Sequence, residues 1–169
     1  MRDWFRPHHM VHRLEELDCA TLRERGLRGV LLDLDNTLAP WRSQEVSGAV
    51  EAWLARLRTY DLRACVVTNA AHTRRVAPVA ERLGLPWVTS AYKPLPHGFR
   101  RGMALLDTEP ETTAMIGDLM TMDIIGGNRL GLYTVLVEPM CNREALLTRW
   151  LQRPLEALIG RRPRCCKLV

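Results

Sequence analysis

The chain has 169 residues, 47% of them apolar, which supports one domain with a sizeable core and is too short for two ordinary ones. Its net charge of +5 lies mostly in the last ten residues, GRRPRCCKLV, which carry Arg161, Arg162, Arg164 and Lys167 and no acid. No apolar run reaches the roughly 18 residues that span a bilayer, and MRDWFRPHHMVH lacks the apolar segment of a signal peptide, so a cytoplasmic chain is expected.

Five cysteines, Cys19, Cys65, Cys141, Cys165 and Cys166, show neither metal-ligand spacing nor an even framework, as expected of reduced thiols. The final CKLV is a poor prenylation signal. His8, His9 and His12 have only loose metal-like spacing and read as surface histidines. Of 24 basic residues only two are lysines, Lys93 and Lys167. A compact ammonium and a planar guanidinium do different work, so Lys93 stands out in a chain that otherwise uses arginine.

In chain order, GVLLDL (29–34) is the first short apolar run that reads as a strand buried on both faces. SQEVSGAVEAWLARLRTY follows as a helix with Val46, Val50, Leu54 and Leu57 on one face and Ser43 or Ser47 as its N-cap. RACVVT (63–68) is a second strand, HTRRVAPVAERLG a helix ending on Gly84, PWVTS (86–90) a short strand, and PHGFRRGMALLD a third helix. TAMIG (113–117), a short helix in TMDIIGGNRLG and YTVLV (133–137) complete the pattern. Strand–helix alternation predicts an α/β fold, a three-layer Rossmann-like arrangement around a parallel sheet with right-handed crossovers. Residues 1–27 read as an N-terminal arm, 28–158 as the domain and 159–169 as a basic tail.

Ligands of open α/β sheets bind beyond the carboxyl ends of the strands. Asp33, Thr68 and Gly117-Asp118 each end a strand, so their side chains converge if those strands are neighbours. Lys93 enters from the loop before the third helix, where Pro94 favours an extended backbone. Three carboxylates close together, Asp33, Asp35 and Asp118, repel, and a set of hard oxygen ligands points to magnesium. Magnesium commonly accompanies phosphate. One carboxylate can attack phosphorus while another, two residues on, protonates the leaving oxygen and then activates water. The Thr68 hydroxyl, amides around Asn36 and Asn69, and Lys93 would neutralise the phosphoryl oxygens.

Each residue also has a plainer reading. Asp33, Asp35, Asn36 and Thr37 have the composition of a turn, Thr68-Asn69 and Asp118 suit helix caps, and Asp123 suits a solvated helix face. Gly126-Gly127 fit tight packing or a turn.

DLDNTL (33–38), VVTN (66–69), YKP (92–94) and GDLMTMD (117–123) together resemble, in order, the four motifs of the haloacid dehalogenase superfamily of phosphatases, over residues 28–138. GDLMTMDIIGGNRLGLYTVLV further resembles the YqeG-type subfamily, in subclass IIIA, and its mitochondrial phosphatidylglycerophosphate phosphatase relatives. The resemblance implies Asp33 as nucleophile and Asp35 as acid/base with a metal-touching carbonyl. It further implies Thr68 as phosphate ligand, Lys93 as charge stabiliser, Asp118 as metal ligand and Asp123 as a supporting carboxylate. Leu119 and Ala70 depart from the residues expected beside the motifs.

The gaps between Asp35 and Thr68 and between Thr68 and Lys93 hold no cap domain. An uncapped crevice suits a bulky substrate that covers the site itself, such as a lipid phosphate, a polymer end or a protein. By resemblance phosphatidylglycerophosphate leads. A nucleic-acid-end or nucleotide phosphatase, with Trp41 and Tyr92 as stacking aromatics, and a non-catalytic RNA- or ribosome-associated module are the alternatives. Trp4, Phe5 and Met10 among basic residues, together with the basic tail, would give peripheral contact with an anionic membrane; packing of Trp4 and Phe5 on the domain is the competing expectation.

Overall fold

The computed structural model describes residues 4–141. In chain order these form β1 (His9–Val11), α1 (Cys19–Glu24), β2 (Gly29–Leu32), α2 (Gly48–Thr59), β3 (Arg63–Val67) and α3 (Thr73–Leu83). There follow β4 (Trp87–Val88), α4 (Pro96–Leu106), β5 (Thr113–Gly117), a π-helical turn at Met120–Ile124, α5 (Ile125–Leu130) and β6 (Tyr133–Val137). The strands make one parallel sheet in the order β1-β6-β5-β2-β3-β4. It is the α/β architecture that the strand–helix alternation predicts.

All four residues of β2 are buried, as a strand with helices on both faces requires. The alternation of side chains along it decides which layer each residue joins. Val30 and Leu32 pack with Val66, Ile116 and the apolar faces of α2 and α3, including Trp53, Leu57, Val76 and Val79. Leu31 points the other way, with Cys65, Val67 and Met115, onto Phe99, Met103 and Leu106 of α4. Each such buried side chain contributes about 1.5–3 kcal/mol. Ser47 caps α2 by accepting the Val50 N–H at 3.3 Å, and α3 ends on Gly84 at φ 63°, a left-handed position that glycine adopts without strain.

The segment before β2 is built into the same core. Asp18 caps α1 by accepting the Ala20 and Thr21 N–H groups, Leu14, Leu17 and Leu22 are buried, and the Trp53 indole N–H donates to the Leu17 carbonyl at 2.7 Å. β1 pairs with β6, and beside it Thr134 N–H donates to His8 Nδ1 at 3.2 Å. Trp4 and Phe5 remain about half exposed, with Asn128 Nδ2 donating to the Trp4 and Arg6 carbonyls. They therefore sit near the amino end of β6, opposite the strand ends that carry the motifs. Met10 is also exposed, on the edge strand.

Among the described residues no cap domain is evident and no helix is long and apolar enough to cross a membrane. The tail from 159, with Cys165 and Cys166, lies outside the described residues.

Candidate active site

β2, β3 and β5 are adjacent, so their carboxyl ends deliver Asp33, Thr68 and Asp118 to one place. The chain leaves the sheet at Asp33, whose N–H still donates to the Ile116 carbonyl at 2.9 Å. It then closes a tight loop: Asn36 N–H donates to Ala39 O at 2.7 Å, and Leu38 and Ala39 N–H groups both donate to Leu34 O. Asn36 takes φ 61°, a left-handed conformation that asparagine tolerates better than most residues. Because the loop turns immediately, Asp33 and Asp35 end in different surroundings.

Asp33 enters a buried group with Lys93, Asp118 and Asp123, none of them more than 6% exposed. Lys93 Nζ donates to Asp33 Oδ1 at 2.5 Å and to Asp123 Oδ1 at 2.6 Å. Burial pushes the Asp33 carboxyl up, Lys93 draws it back down and Asp123 pushes it up again, leaving it at about 7. Burial works against the Lys93 ammonium, but the Asp123 and Asp33 carboxylates outweigh it and hold the group charged, above its ordinary value.

Asp123, which has the plainer reading of a solvated helix residue, is fully buried. Its Oδ2 accepts the Leu119 N–H at 3.1 Å, and the π-helical turn carries it back over the end of β5. There Gly117 makes room: a Cβ at that position would lie 2.2 Å from Asp123 Oδ2.

Asp33, Asp118 and Asp123 each offer an oxygen within 4.8 Å of the others. Three carboxylates and one ammonium carry a formal charge of −2, and an all-oxygen donor set of this kind fits a hard divalent cation. The Asp35 side chain stands outside that trio. Both of its oxygens accept from the Arg75 guanidinium on α3, and Oδ1 also accepts the Arg42 N–H at 3.0 Å. Arg75 has no sequence signal that separates it from 21 other arginines.

Thr68 is buried at the end of β3, where its Oγ1 accepts the Ala70 N–H at 3.1 Å. The Asn69 side chain holds the neighbouring lysine, which leaves the phosphate contact expected of the amides around it untouched. Its Oδ1 accepts the Lys93 N–H at 2.7 Å and its Nδ2 donates to the Lys93 carbonyl at 3.1 Å, so it clamps the backbone that carries the lysine. The Lys93–Pro94 bond is cis. Tyr92 and Leu95 flank the lysine and are 66% and 58% exposed. Asn36 Oδ1 accepts the Trp41 N–H at 3.2 Å and so braces the loop above Asp35.

The sequence is similar to known proteins over most of its length. The probable phosphatase YqeG of Bacillus subtilis is 30% identical over 150 residues, covering 89% of this chain and 87% of YqeG. The chain belongs to the haloacid dehalogenase (HAD)-like phosphatase family. A HAD-hydrolase-like family model matches residues 91–155 of this HAD phosphatase, and a mitochondrial PGP phosphatase model matches residues 1–84. The chloroplastic phosphatidylglycerophosphate phosphatase 1 of Chlamydomonas reinhardtii is 29% identical over 79% of this chain, and the chloroplastic/mitochondrial enzyme of Arabidopsis thaliana 27% over 92%. The chain spans about half the length of those two relatives, 53% and 51%.

The HAD fold itself is shared with an uncharacterized Listeria monocytogenes protein, at TM-score 0.58 and 18% identity over 79% of this chain and 98% of that one. It is shared too with the cobalt-bound deoxy-D-mannose-octulosonate 8-phosphate phosphatase of Haemophilus influenzae, at TM-score 0.53 and 14% identity over 67% and 69%.

Proposed function

We propose that this HAD phosphatase is a magnesium-dependent phosphomonoesterase that forms an aspartyl-phosphate on Asp33, with phosphatidylglycerophosphate as its substrate. The observation that carries this reading is the buried Asp33 carboxylate, fixed by Lys93 beside Asp118 and Asp123 at the open end of the sheet.

An Asp33 oxygen attacks phosphorus, the bond to the leaving oxygen breaks, and Asp35 supplies the proton that the leaving alkoxide takes. Asp35 then removes a proton from water, which attacks the acyl phosphate, releases inorganic phosphate and restores the Asp33 carboxylate. Lys93 orients Asp33 and offsets charge on the phosphoryl oxygens, together with the Thr68 hydroxyl and the amides of the Asn36 loop. Magnesium, held by Asp33, Asp118 and the Asp35 carbonyl with Asp123 in support, would screen the phosphoryl charge when bound.

The lipid substrate is supported by the match to the mitochondrial PGP phosphatase model and by the algal and plant relatives. A site with no cap domain over it among the described residues, and with Tyr92 and Leu95 exposed beside Lys93, also suits a substrate with an apolar part. The reading includes peripheral contact with the cytoplasmic face of an anionic membrane, where a lipid phosphate would be met. The experiment is phosphate release from phosphatidylglycerophosphate by wild type and Asp33→Asn with magnesium. Wild type releases phosphate and the folded variant does not, because an amide cannot form the acyl phosphate. Turnover by Asp33→Asn would remove the nucleophile assignment, and nucleic-acid 3′-phosphates cleaved in preference to the lipid would remove the substrate.

A further inference from the structure

Asp35 and Arg75 form a two-pronged pair at the rim of the site. Arg75 lies in the first turn of α3 and its guanidinium meets both Asp35 oxygens, while each side chain keeps 23% of its surface exposed. Asp35 Oδ1 already accepts the Arg42 N–H. A carboxylate gripped in this way has little capacity left to meet a leaving oxygen, so the pair must loosen when substrate arrives. A buried-edge guanidinium that loses its carboxylate needs another anion of similar planar reach, and a phosphate supplies one bidentately.

The position fixes where that anion lies. Asp35 is two residues beyond Asp33, and the Asp33 charge also acts on the Arg75 guanidinium, so Arg75 stands beside the nucleophile, within reach of a second anion on a substrate being attacked there. Arg42, whose guanidinium lies 4.5 Å over the Trp41 ring, adds a second exposed cation on the same rim. We propose that Arg75 exchanges Asp35 for a second phosphate of the substrate, so that the site selects phosphomonoesters bearing another phosphate or phosphodiester a short linker away and frees Asp35 only for them. This rests on the Asp33 phosphatase reading and adds to it a recognition residue and a charge requirement.

The test compares kcat/KM with magnesium for glycerol 1-phosphate, which has one phosphate, and two compounds that have a second: deacylated phosphatidylglycerophosphate and adenosine 3′,5′-bisphosphate. Wild type should prefer at least one two-phosphate compound over glycerol phosphate by about tenfold or more, the scale of a charge-assisted hydrogen bond. The two differ in the source of the second anion, and the preferred one identifies it as phosphodiester or nucleotide phosphate. Arg75→Ala should collapse the preference to within about twofold, with Arg75→Lys between. Calorimetric binding to Asp33→Asn, with and without Arg75→Ala, should show the same loss for the two-phosphate ligand in Kd. An equal fall for all compounds in Arg75→Ala would overturn the inference and leave the phosphatase reading standing. So would a wild type with no preference. Failure of wild type to release phosphate from any of them would remove both.

Discussion

Replacing Gly117 with alanine tests how tightly the nucleophile's surroundings are built. The added Cβ would stand 2.2 Å from Asp123 Oδ2, 2.4 Å from its Cγ and 2.8 Å from its Cβ. Ordinary contact begins near about 3.5 Å, so Asp123 must retreat by about 1 Å. It has nowhere to go, because Oδ1 is bonded to Lys93 and Oδ2 to the Leu119 N–H. Overpacking of this kind costs about 1–3 kcal/mol, which for a chain of this size lowers the melting temperature by about 2–12 °C. The effect on turnover is larger in kind. Lys93 holds Asp33 and Asp123 at once, so moving one moves the other, and a misplacement of about 1 Å costs about a hundredfold in rate. Steady-state phosphate release at saturating magnesium, with a thermal melt on the same sample, measures both. A Gly117→Ala protein that melts within about 2 °C of wild type and turns over within about threefold would refute the coupling of Gly117 to Asp33 through Asp123 and Lys93.

Lys93→Arg should lower turnover by about a hundredfold with the fold intact by circular dichroism, because the wider guanidinium does not fit between two carboxylates 2.5 and 2.6 Å from the ammonium; activity within about threefold would mean that any cation serves. Asp118→Asn should raise the magnesium concentration needed for half-maximal activity by about tenfold or more, since a charged oxygen ligand is lost; a titration superimposable on wild type would remove Asp118 from the metal site. His8 should titrate below its ordinary 6.5 in NMR, owing to burial and then to Arg25, and the Thr134 amide that donates to its Nδ1 should shift with it. A folded pKa below the unfolded one means that this contribution is complete above about pH 6.5 and is lost as pH falls from there through the lower folded pKa; a His8 pKa at or above 6.5 would contradict the contact.

Three of the four motifs were legible because each couples a short buried strand to a polar residue at its end, Asp33, Thr68 and Asp118; YKP, in the loop before α4, stood out through the rarity of lysine and the resemblance. The helices followed from their apolar faces and caps, as at Ser47 and Gly84. β1 was not legible: it has three residues, two of them exposed, and at a sheet edge it carries none of the apolar run that marks β2. Asp123 could be placed only through the resemblance, since nothing local shows that a π-helical turn and a glycine at 117 bring it back onto Lys93. The clamp that the Asn69 side chain puts on Lys93 has no local signal, because its partner backbone lies 24 residues away. Arg75 escaped for a similar reason, its partner Asp35 being 40 residues off.

The pairing of β1 with β6 has a consequence for how the chain acquires its structure during synthesis. His8 and Thr134 are 126 residues apart, and the sheet's outer edge cannot form until β6 has left the ribosome. The inner ladder of β2 with β3 needs a loop of only about thirty residues and can form much sooner. Closing the longest loop last is entropically slow, so a nascent chain halted before β6 would hold its first strand unpaired, with Met10 and Val11 exposed to other chains. The two distant segments thus act as a latch on the finished domain, and a full set of motifs precedes its closure.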